Sequence, residues 1–232
     1  KWHLTPEARM HDGADRSSWP CQRGFDRYYG CVDGFTNLFA PHRLLRDNSQ
    51  VVRDAYPDDY YLTDDLTDEA VSMVRSLRAN DPDKPFFLYF AHAAVHGPVG
   101  AKPGDLEKYR GRYEAGWDHI RSERFRRQVA SGLFGADTEC APPNTEPGAA
   151  VVPWDGLAPE QRELFARYME AYAAAVDNVD QNLARLLDAL RELGEYENTI
   201  VVFTSDNGGT GEGGPDGTRS YFSHFGASYL QG

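Results

Sequence analysis

Two adjacent side chains near the end of the sequence are of the types that a hard divalent cation binds. Asp206 and Asn207 follow the apolar run 199–203 and precede Gly208 and Gly209. A carboxylate and a carboxamide supply the oxygen ligands that calcium and magnesium prefer, and glycines permit the sharp turn that would direct both at one ion. The same residues also suit an ordinary turn. The apolar run before them favours a metal site at the end of a buried strand.

A histidine follows a second apolar run. His96 lies in the loop after 86–91, a run rich in aromatic residues. An imidazole in such a loop can donate to an anionic oxygen or protonate a leaving group. His92 is nearer to the end of the run, where a core position and a structural role are expected. The sequence therefore predicts His96 as the functional histidine of the two.

Lys1 and His3 form a third candidate group. Alternate residues of an extended segment project to the same side, so an ammonium and an imidazole could face one anion together. Two unrelated polar residues at an exposed position would give the same pattern. The pair gains weight only in combination with the other candidates.

The elements that must position these side chains occur in two similar units. A helix over 64–78, capped by Asp64 or Thr67, precedes the apolar run 86–91. A second helix from Pro159 to about Leu193 precedes the run 199–203. Its apolar stripe is Leu164, Tyr168, Tyr172, Ala175, Val179, Leu183, Leu186, Leu190 and Leu193. The order of helix, buried strand and polar loop occurs twice. This repetition predicts an α/β fold with helices covering a mostly parallel sheet.

The remaining segments are assigned less regular structure. Residues 1–62 are expected to be loops over a scaffold, and 102–135 to be partly helical. The arginines within 121–127 are predicted to form a solvated helical face, and Tyr109–Tyr113 could line a substrate entrance. Residues 136–156 contain several prolines and are predicted to be a loop insertion within one domain that includes the whole of 1–232.

Composition excludes several function classes. A net charge of −12 over 232 residues argues against nucleic-acid binding and against an anionic membrane surface. No apolar run is long enough to span a membrane. The three cysteines contain no C-x-x-C pair, so a zinc ribbon is not indicated. Pairing of Cys21 with Cys31 stays open, and Cys21 is expected to be structural because no base is placed beside it.

Six segments in order resemble the sulfatase family of the alkaline-phosphatase superfamily, in the style of the bacterial arylsulfatases. They are residues 1–4, 19–26, 85–98, 108–117, 172–180 and 198–209. Each is moderately specific, and the ordered set is highly specific. The resemblance implies the helix-covered α/β fold of that superfamily, and we expect this chain to be an interior part of it, truncated at both ends.

The resemblance also implies a role for each candidate. Lys1 would contact the sulfate and the nucleophile, and His3 would hydrogen-bond the nucleophile's second hydroxyl. His96 would bind sulfate oxygens and assist departure of the alcohol. Asp206 and Asn207 would ligate one divalent ion, calcium before magnesium. The substrate would be a small sulfate ester.

The sequence departs from the family pattern in parts of the site. The family nucleophile is a formylglycine made from the Cys or Ser of a C/S-x-P-x-R motif, and Cys21 is followed by Gln22, Arg23 and Gly24. Two metal-binding aspartates and a later lysine are also missing. We therefore expect the nucleophile upstream of Lys1 and an inactive fragment. The alternatives are a phosphonate monoesterase or phosphodiesterase of the same superfamily, and a non-catalytic relative.

Overall fold

The computed structural model describes residues 1–143 and 151–209. In chain order the strands are β1 (Tyr29–Cys31), β2 (Leu44–Arg46) and β3 (Ser49–Gln50). The helices are α1 (Leu62–Asn80), α2 (Pro103–Glu107), α3 (Gly116–Ala130) and α4 (Pro159–Glu192). Short 3-10 turns occur at Glu7–Arg9, Pro20–Gln22, Trp154–Gly156 and Tyr196–Asn198.

The two long helices confirm the periodicity in the sequence. In α1 the residues Leu66, Ala70 and Val74 are buried, as their spacing predicts. The predicted caps are wrong, because the helix begins two residues before Asp64 and the extended residue Tyr61 precedes it without a side-chain cap. Asp64 instead contacts α4, as described below.

Helices α1 and α4 run parallel to each other. Asp68 pairs with Arg185, Arg75 with Glu192 at 2.7 Å, and Arg78 with Glu195 at 2.8 Å. Residue numbers rise together on both helices, so the helices share one direction. Parallel neighbours are what two successive helix–strand units of an α/β fold require.

A buried polar cluster joins α1, α2 and α4. Asn182 donates to the Asp64 carboxylate at 2.7 Å and to the side-chain oxygen of Asn178 at 3.0 Å. Asn178 donates to Asp105 at 3.1 Å. Burial acts to raise the pKa of Asp105, but hydrogen bonds from Gln181, Lys108 and Asn178 outweigh it, so the pKa is lowered. The cluster fixes the register of the three helices because buried polar atoms need these particular partners.

The buried face of α4 follows the prediction only in part. The buried members of the predicted stripe include Ala175, Leu186 and Leu190. Glu170, Asn178 and Asn182 are buried, whereas Leu164 and Tyr172 of the predicted stripe are 37% and 41% exposed. The described residues contact α4 mainly through α1 and α2, and those contacts include hydrogen bonds from Asn178 and Asn182. The apolar stripe therefore predicted the helix and part of its covered face, but not the polar residues buried on it.

The two predicted buried strands are wrong for the described residues. Residues 199–203 carry no strand pairing, and Ile200, Val202 and Phe203 are 92%, 81% and 78% exposed. Residues 86–91 are also unpaired. There Phe86, Leu88 and Phe90 are half-buried, while Phe87 and Tyr89 are exposed. A strand requires a hydrogen-bonded neighbour, and no described segment supplies one to either run. The predicted parallel sheet is thus not formed by these residues.

The first 62 residues contain more core than predicted. β1, β2 and β3 form an antiparallel sheet in that order. Trp19, Val32 and Leu45 pack with Met10 in one buried cluster, and Leu38, Leu44 and Tyr61 belong to a second. The expectation of loops without a core is therefore wrong. Strands of two or three residues leave no alternating pattern long enough to detect in the sequence.

Three smaller outcomes concern the rest of the chain. The described parts of the predicted insertion, 136–143 and 151–156, contain one 3-10 turn and no α-helix or strand. Cys21, Cys31 and Cys140 are free thiols. Among the described residues, no helix has both the length and the apolar character needed to cross a membrane.

Candidate functional site

Residues 1–3 are held in place by backbone hydrogen bonds to two different segments. The backbone amino nitrogen of Lys1 donates to the Ala91 carbonyl at 2.9 Å, at the end of the 86–91 run. The N–H groups of Trp2 and His3 donate to the carbonyls of Cys31 and Val32 at 3.0 and 3.1 Å. The Trp2 indole N–H also donates to Ser18. The segment therefore joins the loop after β1 to the 86–91 run.

The Lys1 ammonium is influenced electrostatically by one of the predicted metal ligands. Its side chain is half-buried, and burial lowers the pKa of its ammonium group. The negative charge of Asp206 opposes that shift, so the two groups interact electrostatically. An ammonium and a carboxylate far apart in the sequence thus share one region of the molecule.

His3 is exposed and its ring lies directly on Gly34. A methyl group added at Gly34 would be 2.5 Å from Nε2 of His3 and 2.7 Å from its Cε1. Real Cβ atoms do not approach other atoms so closely, so the glycine makes room for the imidazole. The backbone of His3 has a φ of +55°, which is uncommon for a residue other than glycine.

His96 is fixed on both sides of its ring. It stacks on Phe35 with ring centroids 5.4 Å apart and planes 7° from parallel. Its Nδ1 lies 2.9 Å from the Gly97 carbonyl. Because a carbonyl oxygen can only accept, Nδ1 carries the proton of this hydrogen bond and Nε2 is the atom left for proton exchange.

Asp206 and Asn207 form an exposed turn. The Asn207 backbone N–H donates to Oδ1 of Asp206 at 3.0 Å, and its side-chain amide donates to the Gly208 carbonyl at 2.8 Å. Both hydrogen bonds leave side-chain oxygen atoms that can still accept a cation. Within the described residues, no group of three or more His, Cys, Asp or Glu side chains is placed to hold a metal. The two residues offer part of an oxygen-ligand set.

His92 and Cys21 have surroundings that suit structural residues. His92 packs edge-on against Phe90 at 4.3 Å, and its Nδ1 is buried with no hydrogen-bond partner in the structure. Burial lowers the pKa of His92 to about 4. Burial also raises the pKa of the Cys21 thiol, which disfavours the thiolate that a nucleophile needs.

A separate apolar cavity of about 280 Å³ lies between α3, α4 and the turn at Trp154. Tyr113, Trp117, Trp154 and Phe165 supply its aromatic walls. None of Lys1, His3, His96, Asp206 or Asn207 is among its lining residues. Tyr113 therefore does line a cavity, but that cavity shares no residue with the candidate site.

Comparison with protein families decides the family. The sulfatase family model matches residues 1–232. The chain belongs to the sulfatase family. Its α/β fold of the alkaline-phosphatase type follows from that membership, and the parallel pair α1 and α4 agrees with it.

Several curated sulfatases are similar to this sulfatase chain. An uncharacterised sulfatase of Schizosaccharomyces pombe is 32% identical over 228 residues, covering 90% of this chain and 39% of the relative. An arylsulfatase of Klebsiella aerogenes is 28% identical over 242 residues, covering 99% and 48%. The sulfatase YdeN of Escherichia coli is 28% identical over 228 residues, covering 92% and 30%. This chain spans less than half the length of each relative.

The predicted site residues of this sulfatase are connected through segments that sequence reasoning missed. Lys1 interacts with Asp206, and its backbone holds the end of the 86–91 run. His3 and His96 rest on neighbouring residues of one loop, Gly34 and Phe35. Asn207 contacts Asp206, its neighbour in the chain, through its backbone N–H. No signal in the sequence pointed to the loop, because neither glycine nor phenylalanine has reactive side-chain chemistry.

Proposed function

We propose that this chain forms part of the active site of a sulfuric ester hydrolase of the arylsulfatase type. The observation that carries the proposal is the position of the His3 and His96 rings on consecutive residues of one loop, Gly34 and Phe35. Lys1, two residues before His3, interacts electrostatically with Asp206. Such groups suit an anionic tetrahedral substrate, because they can neutralise charge and exchange protons at the same place. Membership of the sulfatase family supports the same chemistry.

Lys1 would bind the sulfate group. Its ammonium carries a full charge and three donors, and partial burial strengthens its attraction to an anion because water screens it less. Burial lowers the pKa of this ammonium, and the negative charge of Asp206 opposes that shift without cancelling it. His3 would lie beside it and hydrogen-bond the nucleophile or the sulfate oxygens.

His96 would act on the leaving alcohol. Its Nδ1 is occupied by the Gly97 carbonyl, so Nε2 is the atom that can give a proton to the departing oxygen. The stack on Phe35 holds the ring plane in one orientation. Fixed orientation matters because proton transfer requires short, aligned contacts.

Asp206 and Asn207 would hold a divalent ion, calcium or magnesium. Their free oxygen atoms fit such an ion in chemistry, and they supply two of the six or more oxygen ligands that calcium takes. A bound ion would polarise an oxygen of the reacting group. Further ligands and the nucleophile would come from outside the described residues.

The nucleophile would be a formylglycine that is not among these 232 residues. No Cys or Ser in the sequence is followed by x-Pro-x-Arg; the nearest approach at a cysteine, Cys140-Ala141-Pro142, has Asn144 where the motif has arginine. Cys31 is buried, which raises the pKa of its thiol to about 12 and makes it unsuitable as a nucleophile.

The test compares ester classes with the full-length protein encoded by this gene. We expect a higher kcat/KM for 4-nitrophenyl sulfate than for a 4-nitrophenyl phosphonate monoester. In His96→Gln, we expect kcat/KM for the sulfate to fall about a hundredfold or more. Lys84→Ala, an exposed lysine paired weakly with Asp26, is the control for Lys1→Ala. Faster turnover of the phosphonate would reject the sulfatase assignment in favour of phosphonate hydrolysis.

The metal site has its own test. Asp206→Ala should weaken binding of calcium, measured by calorimetry on the full-length protein, by about tenfold or more. Asp83→Ala, on an exposed turn, removes one carboxylate elsewhere and should leave the affinity unchanged. Equal affinities in wild type and Asp206→Ala would contradict the assignment of this ligand.

A further inference from the structure

We propose that the loop Asp33–Thr36 is a positioning element that holds the imidazoles of His3 and His96 in a fixed relation to each other. The inference rests on the proposed function for the roles of the two histidines. The loop itself contains no group expected to react, and it acts through the rings that lie on it. Gly34 and Phe35 are the positioning residues.

The loop is anchored firmly at both ends. Asp33 is buried, and its Oδ1 accepts from Arg43 at 2.9 Å and lies 3.5 Å from Nε2 of His42. Thr36 is buried, and its hydroxyl accepts from the His42 backbone N–H at 3.2 Å and lies 3.0 Å from His42 Nδ1. Since residues 42 and 43 hold both ends, the two residues between have little freedom to move.

The two middle residues of the loop each contact one histidine. Gly34 lies against the His3 ring, and a methyl group there would be 2.5 Å from Nε2. Phe35 lies face to face with the His96 ring at 5.4 Å. Consecutive residues are joined by one peptide, so the positions of the two imidazoles depend on a single anchored segment. One loop thereby sets the positions of two imidazoles that come from distant parts of the chain.

Face-to-face stacking fixes one property of His96 that a hydrogen bond alone does not. The bond from Nδ1 to Gly97 allows the ring to rotate about that contact, whereas a flat aromatic neighbour restricts the plane. With the plane set, Nε2 points in one direction, which a proton donor to a leaving group requires. Loss of the stack should therefore lower kcat/KM most for substrates whose leaving group most needs a proton.

The test uses the full-length protein and two substrates that differ in their need for an acid. Phenyl sulfate has a more basic leaving group than 4-nitrophenyl sulfate and depends more on protonation. In Phe35→Leu we expect kcat/KM to fall about tenfold for phenyl sulfate and about twofold for 4-nitrophenyl sulfate. The ratio of the two is independent of how much enzyme is correctly folded. Phe35→Tyr, which keeps the ring, should restore the ratio.

A matched control lies in the same part of the chain. Phe39 packs against Tyr61 at 5.2 Å and against Gly100. Phe39→Leu removes an aromatic ring of equal size and should leave the substrate ratio within about twofold of wild type. An unchanged ratio in Phe35→Leu, with both rates lowered equally, would overturn the proposal and leave Phe35 a packing residue.

A second readout does not depend on activity. A ring stacked on phenylalanine has its Cε1 proton resonance shifted upfield, so Phe35→Leu should move the His96 resonance downfield and leave that of His3 in place. Gly34→Ala should move the His3 resonance, because the new methyl displaces that ring. A His96 resonance that does not respond to Phe35→Leu would overturn the proposal. If wild type hydrolyses neither sulfate, the proposed function is overturned. The proposal about the loop is still tested in that case, since the resonances report the positions of the rings.

Discussion

The titration of His92 makes acid stability sensitive to one residue. Burial lowers the pKa of His92 from its ordinary 6.5 to about 4. Between these values the unfolded chain binds a proton that the folded chain does not, so stability falls as the pH falls from about 6.5 to about 4. At neutral pH both states are unprotonated, and the contribution disappears.

We therefore predict that His92→Gln is less sensitive to acid than wild type. Urea unfolding at pH 7 and pH 4 should show that wild type loses roughly 2 kcal/mol more stability than the variant over this range. His119→Gln, at an exposed position of α3, is the control, because its ring stays in water on folding. Equal losses in wild type and His92→Gln would contradict the proposed burial of this imidazole.

At the residue scale, sequence patterns nominated candidate reactive groups but not the residues that hold them. Lys1, His3, His96, Asp206 and Asn207 are chemically distinctive and lie in motifs, so they could be nominated without a structure. Gly34 and Phe35 could not, because their contribution is shape and not reactivity. Their place in the site follows from Asp33 and Thr36 meeting Arg43 and His42, and such a long-range arrangement has no local signature.

At the element scale, Gly116 fixes how α3 meets the turn at Trp154. It has a φ of +79°, and a methyl group there would be 2.2 Å from Cγ of Trp154. Gly132, at the other end of α3, has a φ of +77° with no atom near the added methyl. The two glycines share the same backbone conformation and differ in the space around them.

This pair separates backbone strain from steric conflict. Gly132→Ala should cost about 1 kcal/mol of unfolding free energy, from the left-handed backbone alone. Gly116→Ala should cost about 2 kcal/mol more, because the indole must move. Thermal or urea unfolding of the two variants measures the difference. Equal costs would mean that Trp154 does not pack on Gly116.

The polar cluster between α1 and α4 gives a second element-scale prediction. Asn182→Ala removes a buried amide and leaves the half-buried Asp64 carboxylate with one donor fewer, so we expect the free energy of unfolding to fall by about 2 kcal/mol. Arg75→Ala breaks the pair with Glu192 between the same helices, at side chains 55% and 66% exposed. That change should cost less than about 1 kcal/mol. Similar losses in both variants would show that the cluster does not fix the helices.

The elements differ in how far they can be predicted, and for a physical reason. Helices α1 and α4 are stabilised by hydrogen bonds within the segment, so their 3.6-residue period is enough to find them. A strand depends on a neighbour, and the runs 86–91 and 199–203 find none among the described residues. The polar part of the buried face of α4 escaped prediction, since Asn178 and Asn182 are buried by pairing with acidic groups and not by apolar packing.

At the scale of the whole molecule, two exposed apolar runs stand out. Ile200, Val202, Phe203 and Phe87 are each at least 78% exposed. The run 86–91 follows α1 and the run 199–203 follows α4, and these two helices are parallel. The chain spans less than half the length of the curated sulfatases that it matches. An apolar run on the surface loses the free energy that its burial would provide, roughly 25 cal/mol per Å². We propose that the rest of the full-length protein pairs with both runs and covers them.

Hydrogen exchange can test this pairing directly. The backbone amides of 200–203 and 87–89 should exchange rapidly in the 232-residue chain and at least about a hundredfold more slowly in the full-length protein, because strand hydrogen bonds protect amides that water otherwise reaches. The amides of Leu66–Val74 in α1 are hydrogen-bonded in the described chain and should be protected in both proteins. If the runs exchange equally fast in the two, they are surface segments, and Asp206 and His96 are then positioned by residues 1–3 and the Asp33–Thr36 loop without a sheet behind them.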